Sequence, residues 1–103
     1  MNKKTIINDL KKAIFNLHNT KAKWKESVQV IEKFQGSVVW NGQVEIFDLI
    51  DHPTAKSCYA WDHVIDGSTK RKYIVVLHQP PIDSPQAAVR AAIIQEYRGR
   101  QGG

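Results

Sequence analysis

At 103 residues, with 42% hydrophobic residues and one cysteine, the chain has the size of a single domain and apolar material for a modest core without disulfides. No apolar run reaches the roughly 18 residues a membrane span needs, and Asp9, Lys11 and Lys12 interrupt any signal-peptide core near the start, so the sequence reads as a cytoplasmic protein with no membrane partner. The net charge of +5 is unevenly spread: seven lysines against Asp9 in residues 1–25, an acidic middle (Glu45, Asp48, Asp51, Asp62, Asp66), and a basic end (Lys70, Arg71, Lys72, Arg90, Arg98, Arg100). That pattern fits a solvated lysine-rich helix face, a polyanionic partner, or ends that complement a neighbouring subunit's acidic middle.

In chain order, Ile6, Ile7, Leu10, Ala13, Ile14 and Leu17 recur at helical spacing and predict an amphipathic helix over 3–18, ended by Asn19-Thr20. From Trp24 to Phe34 the period changes to two, a strand pattern, with Gln35-Gly36-Ser37 as a bulge and Val38-Val39-Trp40 resuming the run. Asn41-Gly42 between apolar runs is the preferred pair for a type I′ hairpin turn, so the next strand is expected over 44–49. Asp51-His52-Pro53 breaks it. Residues 57–66 read as a third strand, 66–69 as a turn and 70–79 as a fourth strand, stopped by Pro80-Pro81. Ser84-Pro85 has the form of an N-cap and first helical residue, opening a helix through Tyr97. The expected fold is α+β, in the order α-β-β-β-β-α. It is a two-layer sandwich in which both terminal helices pack on one face of an antiparallel meander. The domain is placed at 1–98, with 99–103 a disordered tail.

The segment 52–63, HPTAKSCYAWDH, concentrates reactive residue types. Side chains alternate along a strand, so Cys58, Ala60 and Asp62 share one face while Tyr59, Trp61 and His63 share the other. A Cys58–His63 pair is thereby separated, and Cys58 reads as a small buried hydrophobe. If the turn at Gly67-Ser68 closes the hairpin, His63 lies opposite Lys72, and His78 is on the order of 20 Å away, too far to share a metal. Asp48, Asp51 and His52 match no ligand signature. No cofactor or metal is therefore expected, and with no glycine-rich phosphate loop, HExxH or GxSxG the enzyme class is the least supported by the residues.

The same register places Cys58 and Ala60 beside Leu77 and Val75 on one face, and Tyr59, Trp61, Ile74 and Val76 on the other, with His63 at its end. Two helices on one face would leave the aromatic face open, to be covered either by a partner, a second copy in a homodimer or a small-molecule ligand, or by the sheet curling its own Trp24-bearing strand over Tyr59 and Trp61 as ordinary core. The residues expected on that surface are Tyr59, Trp61, His63, Ile74 and Val76, with Trp40 near the hairpin. The alternative is nucleic-acid binding, by bases stacked on Tyr59 and Trp61 within a rim that includes Lys70, Arg71 and Lys72.

Val39-Trp40, Gly42, Val44, Phe47, Leu49, His52-Pro53, Ala55, Cys58–Trp61, Pro80-Pro81 and Asp83–Pro85 together form a pattern of specific motifs over more than half of the chain. In it the sequence resembles a family of short, functionally uncharacterised bacterial proteins carried on plasmids and in mobile integron gene cassettes. The resemblance implies a mobile-element context. It implies no activity, substrate or catalytic residue.

Overall fold

The computed structural model describes residues 3–64 and 71–102. Helix α1 (Lys3–His18) leads through Asn19-Thr20 into β1 (Lys21–Phe34), followed by β2 (Ser37–Ile50), β3 (Ser57–Val64), β4 (Arg71–Leu77) and helix α2 (Pro85–Gly102). The four strands form one open antiparallel sheet in sequence order, an α+β fold. The expected turn at 66–69 and Lys70 lie outside the described residues.

Local chemistry accounts for the ends of the elements. Asn19 takes a left-handed conformation (φ 53°) and donates its backbone N–H to the Phe15 carbonyl at 2.8 Å, which stops α1. Ser84 caps α2: its Oγ accepts the Ala87 N–H at 3.1 Å, and Pro85 supplies a first helical residue that has no N–H to satisfy. Helix α2 continues past Tyr97 to Gly102. Residues 99–102, expected as a disordered tail, thus extend its backbone, and Arg98, Arg100 and Gln101 are good helix formers.

The first hairpin corrects the sequence reading. Its two-residue turn is Gln35-Gly36, with φ of 51° and 80°, and Phe34 pairs with Ser37 across it. These are the positive φ values a type I′ turn requires. Asn41 and Gly42 have no positive φ and lie inside β2, opposite Ile31 and Val30. The observed register sets Val28 against Val44 and Val30 against Gly42, gathering Val28, Val30 and Val44 into one apolar cluster, and this outweighs the local preference of Asn-Gly. Gly42 serves a different purpose. A Cβ there would come within 3.0 Å of the Trp40 ring, so glycine leaves the space into which that indole folds.

The helices also depart from expectation, because they lie on opposite faces of the sheet. Beneath α1, Leu10 and Ile14 pack with Phe47, Cys58 and Ala60. Beneath α2, Ala88 and Val89 pack with Val30, Val44, Tyr59 and Trp61, flanked by the half-buried Ile74 and Val76. Strand β3 is apolar on both faces, and one helix on each face removes both from water. Burial of a single Leu or Phe side chain stabilises by about 1.5–3 kcal/mol. The aromatic face, expected to be open to a partner, is therefore covered by α2. Polar contacts fix that helix to β1: Gln86 donates to Glu32 and Arg90 Nε lies 3.0 Å from Glu32 Oε1, hydrogen bonds from Gln86 first and Arg90 second that hold its carboxyl below the ordinary range.

The β3–β4 register is the one read from the sequence: Cys58 opposite Leu77, Tyr59 opposite Val76, Trp61 opposite Ile74 and His63 opposite Lys72.

Candidate ligand-binding cleft

Strands β2 and β3 pair only from Glu45–Ala60 to Asp48–Ser57. The first hairpin continues to Phe34–Ser37 and the second to Val64–Arg71, so the two hairpins diverge beyond Glu45 and Ala60. The fork is wedged by two indoles: Trp40 and Trp61 meet edge to face, with centroids 5.7 Å apart and planes at 68°. A cleft of about 410 Å³ occupies the fork. One wall comes from β2 (Trp40, Gln43, Glu45), another from β3 (Trp61, Asp62, His63), and Lys3, Ile6 and Leu10 of α1 close the third side.

Glu45 dominates the chemistry. Its place in β2 puts it on the same face as Phe47 and Leu49, the side covered by α1, and only 5% of it is exposed. An enclosed carboxylate needs donors. Oε1 accepts the indole N–H of Trp24 at 2.9 Å and the hydroxyl of Ser27, and the Lys3 ammonium lies 3.9 Å from the same oxygen. Asp62, the other acid in the wall, is engaged by Arg71 from the neighbouring strand. The Trp61 indole nitrogen is buried and has no hydrogen-bond partner among the described residues.

Of the residues singled out from sequence, Trp40, Trp61 and His63 line this cleft. Tyr59, Ile74 and Val76 do not: they pack under α2, where the Tyr59 hydroxyl lies 2.6 Å from His78 Nδ1. Burial, followed by the charges of Asp83 and Cys58, pushes the Tyr59 phenol up. Arg71 is tied to Asp62, Lys72 is exposed on β4, and Lys70 is outside the described residues. His52 stands in a structural role: its Nδ1 accepts the backbone N–H groups of Thr54 at 3.2 Å and Ala55 at 2.9 Å, organising the turn before β3.

Lys3, Gln43 and Glu45 escaped the sequence reading. The strand alternation carried a usable signal, because Glu45 is a charge at a position where Phe47 and Leu49 predict an inward face. The misplaced turn at Asn41-Gly42 hid it by making Glu45 the second residue of a new strand. No helix among the described residues is long and apolar enough to cross a membrane, and no group of three or more metal-ligating side chains occurs among them. Comparison with protein-family models, curated proteins and solved structures finds no match to this chain.

Proposed function

We propose that the protein is a small-molecule-binding module whose ligand enters the fork between the two hairpins. One observation carries this reading: a cleft of about 410 Å³ walled by two tryptophans, with an almost fully enclosed carboxylate against it. Its size falls within the range of ligand pockets, and its walls combine apolar side chains (Ile6, Leu10, Trp40, Trp61) with polar ones (Gln43, Glu45, His63). The buried Trp61 N–H supports it further, since an unsatisfied indole donor costs about 1–3 kcal/mol. The residues that carry the resemblance to cassette- and plasmid-borne proteins include Trp40, Gly42 and Trp61, which shape this fork.

Other readings have less support. A homodimer through the aromatic face would need a surface that α2 occupies, and bases could stack on Tyr59 and Trp61 only if α2 lifted away. A fragment screen read by indole N–H NMR signals tests the proposal. Binders should shift the Trp40 and Trp61 signals together, and Trp40→Ala should weaken them about tenfold or more, the loss of roughly 1.4 kcal/mol of ring contact. Binders that cluster elsewhere, or a screen with no binders at millimolar concentration, would refute it.

A further inference from the structure

The cleft discriminates by charge, and the sign follows from how Glu45 is satisfied. A carboxylate has two oxygens with about four acceptor positions. Trp24, Ser27 and Lys3 all approach Oε1, and none of these contacts falls on Oε2. Asp62 is engaged by Arg71, so among the described residues Glu45 is the acid of the wall whose second oxygen takes none of these contacts and can face an incoming donor. One indole, Trp24, bonds to it, and two more, Trp40 and Trp61, line the same cleft.

A cation already samples this chemistry. The Lys3 ammonium sits 3.9 Å from Glu45 Oε1 and 5.7 Å from the centroid of the Trp24 ring, a carboxylate and an indole acting on one positive charge. The distance is too long for a hydrogen bond and the lysine side chain is 48% exposed, so the ammonium is held weakly. A ligand cation that reached hydrogen-bond distance would hold the carboxylate better than this tethered one. An anion would meet the enclosed negative charge of Glu45, while the guanidinium of Arg71 is already taken by Asp62.

We infer that the ligand is an organic cation, an ammonium, amidinium or guanidinium group on a small apolar or aromatic body. Its charged end is received by Glu45 and its body lies against Trp40. Lys3 is a built-in competitor for the same carboxylate. The inference rests on the fork being a ligand site, and adds to it the charge of the ligand and the role of Lys3.

Three probes with one ring and different charge test it: benzamidine, benzamide and benzoate, titrated into the full chain and followed by tryptophan fluorescence and indole N–H NMR. Benzamidine should bind about tenfold more tightly than benzamide, because a charge-assisted hydrogen bond is roughly twice as strong as a neutral one, and benzoate should bind least. Lys3→Ala should tighten benzamidine severalfold by removing the competitor, whereas Glu45→Gln should abolish the preference for charge. Lys3 is at the surface, so its variant carries the test even if Glu45→Gln fails to fold. Benzoate binding as well as benzamidine does, or Lys3→Ala weakening benzamidine, would overturn the cation assignment. If such binding still shifted the Trp40 and Trp61 signals, the fork would remain the ligand site with the wrong charge assigned to it. Absence of any benzamidine binding at millimolar concentration would also overturn the assignment, and the fragment screen would then decide the fork separately.

Discussion

Burial pushes the Cys58 thiol up from its ordinary 9.0 to about 12. The side chain is fully enclosed between α1 and β4, beside Ala60 and Phe47, so the folded state favours the neutral thiol and resists the thiolate. A group whose pKa is raised by folding contributes stability that is complete below its unfolded value and is lost as pH climbs through the folded one. Stability should therefore decline between about pH 9 and 12, and Cys58→Ala should flatten that part of the curve. A thiol reagent at pH 8 should leave Cys58 unmodified until denaturant is added, and rapid labelling of the native protein would contradict its buried placement. The tyrosine at 59 behaves in the same direction: its phenol is also raised by burial, so its loss of a proton adds to the alkaline decline.

Hairpins rather than single strands are the units of this sheet, and the longer one turns where local preference is weak. Gln35 has no special liking for the left-handed region, but the long register of β1 with β2 places it there at φ 51°. Asparagine tolerates that conformation better than glutamine, and a β-branched residue tolerates it badly. Gln35→Asn should leave thermal stability unchanged or raise it by a few tenths of a kcal/mol, whereas Gln35→Val should cost about 1–2 kcal/mol. If the chain turned at Asn41-Gly42 instead, neither substitution would matter, and denaturant titration of the two variants separates these outcomes. Beyond α2 the same hairpin leaves Phe34, Val38 and Val39 exposed at its tip. At its middle, the missing Cβ of Gly42 admits Trp40 and so helps to open the fork. One misread turn thus moved both the tip of the hairpin and the floor of the cleft.

For the molecule as a whole, the decisive feature is one helix on each face of the sheet, with two separate apolar clusters. Leu10→Ala beneath α1 should cost about 2–5 kcal/mol, and Val89→Ala beneath α2 should be destabilising through its own cavity. Because the sheet lies between the two sites, the double variant should show the sum of the single effects to within about 0.5 kcal/mol. A coupling above 1 kcal/mol would mean that the two helices share a core, as a two-layer packing would require.

Much of this architecture follows from the sequence alone. Hydrophobic periodicity locates α1 and the alternation of β3. Ser84-Pro85 marks the start of α2, and a hairpin closed at Gly67-Ser68 aligns Cys58, Tyr59 and Trp61 with Leu77, Val76 and Ile74, the register observed. These are short-range signals, expressed within one turn of helix or one cross-strand pair. Tertiary structure alone decided which helix covers which face, where the long hairpin turns, and that Glu45 from β2, Lys3 from α1 and the two tryptophans meet at one fork. Each of those depends on contacts between segments far apart in the chain. Periodicity identifies a face that must be covered but not the element that covers it. A local turn preference yields when many paired and buried residues along two strands favour another register.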